Sequence, residues 1–401
     1  MKAWKLSLCL VGCAVILLGG CQAPTETQAD KPATKIYYPD APDMPRLQFL
    51  KSFSSTQDLG DPEDTVGGLE AFLVGTEEAD RDKIVKPYGI TLYDGKLYVC
   101  DVGKKMINVL DLQNNTFTYL TKDRRLTNPI NIFIDDNGYK YVTDPIAKAV
   151  FVLGQDDQLK AILGKELDIK PIDVAVRDNR CYVTDMNSNQ VVVIDTATGE
   201  ELLRIGSMDQ ELGAFGLIAD VDLDGEENVY ATDKGMAKVN IFDKNGLFKK
   251  TFGEPSDSVH GFGRPKGIAV DKKGRMWIVD TAAQVAKIYN PEGELLMYWG
   301  FPGYGPGNMN LPAAIIVDYD HVDLFSEYIA EGAQIEFLVL VSNQYGSKIN
   351  VYGFGKFPLE EKRRADEAAL TPFLKTEDQS QSSDQITEEA PRQGDSEPNN
   401  Q

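Results

Sequence analysis

Short hydrophobic runs separated by polar turns recur along most of the chain, and they are clearest between Arg264 and Gly300. That stretch contains four runs rich in β-branched, aliphatic and aromatic residues, namely GIAV, RMWIV, AKIYN and LLMYW. The polar segments DKKG, DTAAQ and PEG separate them. Runs of this length and composition, bounded by Gly, Pro and Asp, predict strands joined by tight turns. Four such strands cannot bury both faces alone, so the unit needs neighbours.

The same unit occurs six times, in register on the residue that ends its second strand. This residue is an aspartate in five copies and an asparagine in the last: Asp101, Asp144, Asp185, Asp233, Asp280 and Asn343. A turn residue follows ten positions later in every copy, and a matching first strand precedes each one. Copies roughly forty to fifty residues apart, each with four strands, predict an all-β fold, a six-bladed β-propeller with one blade per copy.

The two ends of this repeat predict how the ring closes. The segment Arg46–Ser55 has the pattern of a fourth strand, whereas the sixth copy has none after SKINVYGFG. We therefore expect the N-terminal strand to be the outer strand of blade six, so that the propeller spans residues 46–357 and exposes no inner edge. The acidic stretch Gln57–Lys83 is predicted to be a loop before blade one.

Blade six also departs from the repeat by an insertion between its first and second strands, from Tyr319 to Glu336. The pattern is compatible with a loop or a short helix. Because the insertion is acidic and contains aromatic residues, it is a candidate contact surface, and a tolerated surface loop is the alternative.

Residues outside the propeller have other patterns. Residues 1–20 begin with Lys2 and Lys5 and continue with an apolar core too short to span a bilayer, which indicates a signal peptide. Residues 21–45, rich in Pro, Thr, Ala and Asp, predict an extended tether. Residues 358–375 predict a short helix, and the acidic residues 376–401 predict a disordered tail.

The end of the signal peptide carries a resemblance to a known class. Leu18-Gly19-Gly20-Cys21 resembles the lipobox of bacterial lipoproteins, which implies cleavage before Cys21 and attachment of the lipid, palmitate included, to that cysteine. Gln22 resembles the signal for outer-membrane retention in Gram-negative bacteria. The resemblance implies a lipid-anchored protein of the cell envelope, at the outer membrane and facing either the periplasm or the surface. An ordinary secretory signal with a chance cysteine is the alternative.

The blade unit carries a second resemblance. Its pattern, P-x-G-I-A-V-D followed by G-x-(V/M)-(Y/W)-V-x-D and I-x-V-(Y/F)-D, is similar to the NHL repeat of six-bladed propellers and covers about three-quarters of the chain. None of the copies has the Asn-His-Arg turn of that repeat. The resemblance implies a binding platform more often than an enzyme, and the fold alone does not separate the two.

Composition excludes several classes of function. The net charge of −21 disfavours nucleic acid as a partner. Only two histidines, His260 and His321, are present, and no Cys-x-x-Cys-His motif occurs, so neither a multi-histidine zinc site nor covalent haem is expected. Removal of the signal peptide leaves Cys100 and Cys181 in the propeller, in non-adjacent blades, where we expect buried free thiols.

The candidate ligand site lies at a position that varies between blades, two residues after the opening proline or its equivalent. The six copies have Gly89, Asn131, Asp173, Asp220, Gly267 and Ala314 there. Because this position begins the innermost strand, small residues permit close packing, and Asn131, Asp173 and Asp220 are predicted to form an arc at the channel mouth. Such oxygen ligands suit calcium, although no cofactor is required; hydrated polar residues in a wet channel are the alternative.

Two calcium patterns are weaker. Asp220, Asp222 and Asp224 form a D-x-D-x-D-G pattern, but the register places the first two along a strand, which puts Asp220 and Asp224 about 13 Å apart. Calcium-dependent lactonases resemble this fold and place an Asn or Asp ligand directly after the opening proline. The residues at that place here are Tyr88, Ile130, Ile172, Ala219, Lys266 and Ala313.

Two hypotheses of different classes therefore follow from the sequence. The first is a lipid-anchored binding or assembly module that contacts a protein or polysaccharide. The second is a calcium-dependent hydrolase that acts on a lactone or ester in the channel.

Overall fold

The structure, a computed structural model, describes residues 35–40, 42–60, 82–120, 123–207 and 212–358. The signal peptide, Cys21, most of the tether, most of the loop before blade one, and the segments 359–375 and 376–401 lie outside these residues, so those expectations stay predictions. Within the described part, no helix is long and apolar enough to cross a membrane.

Within the described residues, twenty-five strands form six sheets, each of which is one blade of a propeller. The chain begins with β1 (Tyr37–Tyr38) and β2 (Leu47–Phe53). Blade one contains β3 (Pro87–Tyr93), β4 (Lys96–Asp101), β5 (Met106–Asp111) and β6 (Thr116–Tyr119). Blade two contains β7 (Asn131–Ile134), β8 (Lys140–Asp144), β9 (Ala149–Leu153) and β10 (Leu159–Leu163). Blade three contains β11 (Pro171–Arg177), β12 (Arg180–Asp185), β13 (Gln190–Asp195) and β14 (Glu201–Ile205).

The second half of the ring repeats this order. Blade four contains β15 (Ile218–Leu223), β16 (Val229–Asp233), β17 (Lys238–Phe242) and β18 (Phe248–Phe252). Blade five contains β19 (Pro265–Val270), β20 (Met276–Asp280), β21 (Val285–Tyr289) and β22 (Leu295–Trp299). Blade six contains β23 (Pro312–Asp318), β24 (Gln334–Asn343) and β25 (Lys348–Lys356). The all-β, six-bladed prediction is confirmed.

Blade six is closed by the N-terminus, as the repeat predicts. Its strand order is β1-β2-β25-β24-β23, so β2 is the fourth strand and pairs with β25 from Leu47–Phe354 to Phe53–Ile349. The structure adds β1 as a fifth strand, with Tyr38 only 4% exposed. The predicted tether of residues 21–45 is therefore too long at its C-terminal end, because Tyr37 and Tyr38 belong to the propeller.

The insertion in blade six forms a 3₁₀ helix, Val322–Tyr328, that packs against the closing strand. Phe325 is buried, and its ring lies 6.1 Å from that of Phe53 in an edge-on contact. The buried Gln48 donates to the Tyr328 carbonyl (2.8 Å) and accepts from the Ala330 N–H (3.0 Å). The insertion therefore fastens the N-terminal strand to the ring.

The hydrophobic core lies between neighbouring blades. Trp277 of blade five contacts Phe337 of blade six, with ring centres 5.5 Å apart, and one buried cluster joins both blades. The second and third strands are buried on both sides, because each blade packs between two others. This packing leaves the first strands, which contact one another around the axis, to line the channel.

Candidate functional site

The innermost strands of all six blades line a cavity of about 200 Å³ on the propeller axis. We call the end of the ring where these strands begin the top face, and the opposite end the bottom face. Antiparallel pairing places the turns between second and third strands on the top face as well. The polar residues of the cavity are Thr91, Asn131, Asp173, Asp220, Asp222 and Asp318.

Close approach of the innermost strands explains the small residues at the top of the cavity. A Cβ on Gly89 would lie 2.5 Å from the Asn131 Cα, and one on Gly267 would lie 2.8 Å from the Ala313 carbonyl oxygen. Both distances are shorter than real Cβ contacts. The expectation that small residues permit close packing at this position is therefore confirmed.

The structure brings Asn131, Asp173 and Asp220 together. The Asn131 side-chain amide donates to Asp173 Oδ1, across the boundary between blades two and three. The Val221 N–H is shared by Asp173 Oδ2 (2.8 Å) and Asp220 Oδ1 (2.9 Å). The predicted arc exists as a hydrogen-bonded group; its role in ligand binding stays a prediction.

Burial controls the charge of this group. Desolvation raises the pKa of Asp173, and it raises the pKa of Asp220 well above its usual range, with the nearby Asp173 charge adding to the effect. The two carboxyls share a hydrogen bond. Burial and the neighbouring charge therefore favour the protonated form of Asp220, so the pair tends to carry less negative charge than two free carboxylates.

Asp222 lies two residues after Asp220 on β15. Burial raises its pKa to about 7, against the hydrogen bond that it accepts from the Val270 N–H at 2.7 Å. Asp220 and Asp222 lie within a regular strand, and Asp224 begins the next turn, where it accepts from Glu226 and Asn228. Asp220 and Asp222 thus lie along the first strand, as the register predicts, and the acids of the D-x-D-x-D-G pattern have separate hydrogen-bond partners.

The hydrogen bonds of this group do not fit a calcium ion. Asn131 presents its amide nitrogen to Asp173, while its oxygen accepts from the Ile132 N–H at 2.7 Å. Calcium requires six to eight oxygen ligands. Among the described residues, no group of three or more His, Cys, Asp or Glu side chains is placed to hold a metal ion.

The repeated aspartates have the structural role expected of them. Each accepts backbone N–H groups both from the loop that opens its own blade and from the turn that follows its strand. For Asp101 the donors are Val85 (2.7 Å), Lys86 (3.0 Å), Gly103 (3.0 Å) and Lys104 (3.1 Å). Asp280 likewise accepts from Gly263 and Arg264. These carboxylates fix the top-face loops to the blades.

A second repeated feature was missed in the sequence. The hydroxyl residue just before the repeated acid joins neighbouring blades: Thr143 Oγ1 accepts from the Asn131 N–H and donates to the Ile172 carbonyl, each at 3.0 Å. Ser342 joins blade six to blade one in the same way, by donating to the Tyr88 carbonyl at 2.6 Å. The signal was visible as the recurring Thr or Ser in YVTD, YATD and LVSN.

A positively charged cluster at the channel mouth was also missed. The Lys266 ammonium lies 3.8 Å from the centre of the Tyr88 ring. Burial lowers the pKa of this ammonium, and three further basic side chains are close enough for their charges to lower it further. We call the four together the basic mouth: Lys86, Lys234, Arg264 and Lys266. For Lys86 and Arg264 the signal was the basic residue before the opening proline, in KPYG and RPKG.

Large apolar side chains are exposed mainly on the same face. Of the described residues, those that lie in top-face loops and are more than a third exposed are Val85, Ile146, Leu212, Met236, Phe301, Tyr304 and Tyr345. The bottom-face turns expose Tyr139 and Leu247. A face with several exposed apolar side chains beside polar groups is typical of an interaction surface.

The cysteines and one histidine have structural surroundings. Cys100 and Cys181 are free and buried, as expected, and burial raises the pKa of both thiols. His321 Nε2 accepts from the Gly95 N–H (3.1 Å), and Nδ1 donates to Asp318 Oδ2 (2.8 Å). This histidine thereby joins the insertion of blade six to blade one.

Comparison with known proteins supports the fold and leaves the activity open. No protein-family model matches the chain, and no curated protein matches it either. A structural-genomics protein of unknown function from Bacteroides thetaiotaomicron is 17% identical, with a TM-score of 0.55 over 68% of this chain and 70% of that one. An auxiliary nutrient binding protein from the same organism is 12% identical (TM-score 0.52; 69% and 71% covered). A gluconolactonase from Xanthomonas campestris is also 12% identical (TM-score 0.51; 80% and 97% covered). At these identities the likeness is one of fold, so the chain is a six-bladed β-propeller similar to both binding and lactonase-type propellers.

Proposed function

We propose that this chain is a lipid-anchored binding module of the bacterial envelope, and that its top face contacts a protein or polysaccharide partner. The observation that carries the proposal is the concentration of exposed apolar side chains, among them Met236 and Tyr345, in the top-face loops. Aromatic and methionine side chains are enriched at protein interfaces. The fold likeness to an auxiliary nutrient binding protein agrees with such a role.

Attachment to the membrane is the second part of the proposal. Cys21 ends a lipobox-like sequence, and Gln22 resembles the signal for retention in the outer membrane. Two or more acyl chains bound to the N-terminal cysteine hold a propeller at the membrane without a spanning helix. Fractionation tests this part, because Cys21→Ser is expected to move the protein from the membrane fraction to the soluble fraction. An unchanged membrane fraction would exclude the lipid anchor.

A pull-down experiment tests the binding role. The non-lipidated Cys21→Ser chain is used as bait on a detergent-solubilised envelope of the native host. Met236→Asp and Tyr345→Asp place charge on the top face, and Leu247→Asp, which is 70% exposed on the bottom face, is the matched control. We expect one specific partner that is retained by Leu247→Asp and lost by the top-face variants. Equal recovery by all variants would exclude the top face as the contact surface.

The calcium-dependent hydrolase is the second candidate function, favoured by the carboxyls in the channel and by the fold likeness to a gluconolactonase. It is less well supported, because the oxygens of Asn131, Asp173 and Asp220 already accept hydrogen bonds from neighbouring groups. Side-chain placement would have to change to admit an ion.

A further inference from the structure

The basic mouth is a concentration of positive charge in a strongly acidic protein, and its side chains have few partners. None of its four members forms an ion pair or a side-chain hydrogen bond with the described residues. Most of the lysines that form ion pairs elsewhere do so at the surface, as Lys148 does with Asp168 at 2.6 Å. Unpaired cations that converge on one opening are suited to an anionic ligand.

The members of the mouth lie near Lys266, whose pKa is lowered by burial and by the charges of the other three. Tyr88 lies under the Lys266 ammonium, and Lys86 is two residues before Tyr88, just ahead of β3. Thr232 donates to the Lys266 carbonyl at 2.6 Å, and Lys234 is two residues after Thr232. Arg264 is two residues before Lys266 itself. The four cations therefore come from blades one, four and five but lie close together at the Lys266 ammonium.

The contact between Lys266 and Tyr88 reaches across blade six. The corresponding residue of that blade is Ala313, whose side chain is a single methyl group and is fully buried. Tyr88 and Lys266 each lie near the start of an innermost strand, so the two side chains meet at the top-face end of these strands. A ligand on this face would meet the Lys266 ammonium and the Tyr88 side chain.

Burial weakens the negative charge of the acids beneath the mouth. It raises the pKa of Asp220 well above its usual range, and Asp173 already accepts hydrogen bonds from Asn131 and Val221. Burial and the nearby charge of Lys234 lower the pKa of Lys266 to about 7. An anion brought close to Lys266 would favour its charged form and relieve this repulsion.

We propose that the basic mouth binds the oxyanion group of the partner or ligand that docks on the top face, a carboxylate or a phosphate carried by a sugar. The arginine supplies a planar, two-pronged donor, and the lysines supply point charges, which together match either oxyanion. The Tyr88 ring supplies an apolar surface for the attached sugar. This inference rests on the proposed function, because it assigns a chemistry to the same face.

Isothermal titration calorimetry of the complete non-lipidated chain tests the inference with D-glucuronate, glucose 6-phosphate and neutral D-glucose. We expect the anions to bind and glucose not to bind, with affinity falling as salt is added. Binding of glucuronate alone assigns a carboxylate, and binding of glucose 6-phosphate alone assigns a phosphate. If neither anion binds at millimolar concentration, the inference is overturned.

Matched variants locate the binding. Lys266→Met and the exposed Arg264→Gln are each expected to weaken anion binding by about tenfold or more. Lys272→Met is the control, because Lys272 also lies over a tyrosine ring (Tyr319, 4.0 Å) but on the bottom face. Unchanged affinity in both mouth variants, with melting curves equal to that of the parent chain, overturns the inference. If no anion binds but the pull-down partner is still recovered by the parent chain, the inference fails and the proposed function stands.

Discussion

The Lys266 ammonium lies 3.8 Å from the centre of the Tyr88 ring, although the two residues belong to blades that are not neighbours. This contact lies on the same face as most of the exposed large apolar side chains. A propeller of net charge −21 therefore has a positively charged and partly apolar region on one face.

The first prediction concerns the packing of the innermost strands. Gly89→Ala is expected to destabilise the protein by about 1–3 kcal/mol, because the new methyl group would overlap Asn131 of the next blade. Chemical denaturation measures the change. Gly225→Ala is the control, since a Cβ there meets nothing within 4 Å. Equal stability of the two variants would contradict the close contact between blades one and two.

The second prediction is a pH dependence at Asp222, which faces the Val270 N–H, Asp173 and Arg177. Its pKa is raised from about 3.9 in the unfolded chain to about 7 in the folded one. An acid with a raised folded pKa loses stability as pH increases between these values, because the unfolded state ionises first. Asp222→Asn removes that loss. The melting temperature of the variant should therefore rise relative to that of the parent chain as the pH increases from 4 to 7.

Asp224→Asn provides the opposite sign as a control. Burial would raise the pKa of Asp224, but hydrogen bonds from Asn228 outweigh burial and lower it. Its ionised form therefore stabilises the fold above the unfolded pKa, and this stabilisation is lost as pH falls. We expect Asp224→Asn to destabilise the protein at neutral pH and less so in acid. Parallel melting profiles for the two variants would contradict both assignments.

The third prediction concerns the insertion of blade six. Phe325→Ala is expected to cost about 3–5 kcal/mol, the usual range for a buried phenylalanine, because its ring packs against Phe53 of the closing strand. Hydrogen exchange should show faster exchange in β2, where the ring closes. Tyr345→Ala, on an exposed loop, should change neither quantity. A stable Phe325→Ala variant would show that the insertion does not fasten the ring.

The fourth prediction concerns calcium. Because the Asn131, Asp173 and Asp220 group is satisfied by hydrogen bonds, we expect the melting temperature to be the same with calcium or a chelator. A bound ion would add about 2.7 kcal/mol at a hundredfold excess over its dissociation constant. A calcium-dependent increase in melting temperature that Asp173→Ala abolishes would favour the hydrolase.

The sequence predicted the blades well because their signal is repeated. Each blade repeats the same strand pattern, and the missing fourth strand after Lys356 indicated that β2 closes the ring. The short strand β1 was not predicted, since the two residues Tyr37 and Tyr38 are too few to form a recognisable pattern. Its stability comes from pairing with β2 and from burial of Tyr38 in the cluster that blades five and six share.

The site was predicted in part. The arc of Asn131, Asp173 and Asp220 follows directly from the register, since residues at one position of the repeat meet at the axis. The contact between Lys266 and Tyr88 does not follow from it, because it joins blades one and five and depends on the small Ala313 in between. The raised pKa of Asp220 depends equally on burial, which the residue pattern alone does not determine.

Site-specific photocrosslinking in cells of the native host tests the central claim, that the top face is the binding surface. Benzoylphenylalanine is placed at Ile146 and Tyr345 on the top face, and at Tyr139 and Leu247 on the bottom face, all of which are exposed. The account predicts one discrete adduct of higher mass from the top-face positions and none from the bottom-face positions. A discrete adduct from the bottom-face positions alone would contradict it.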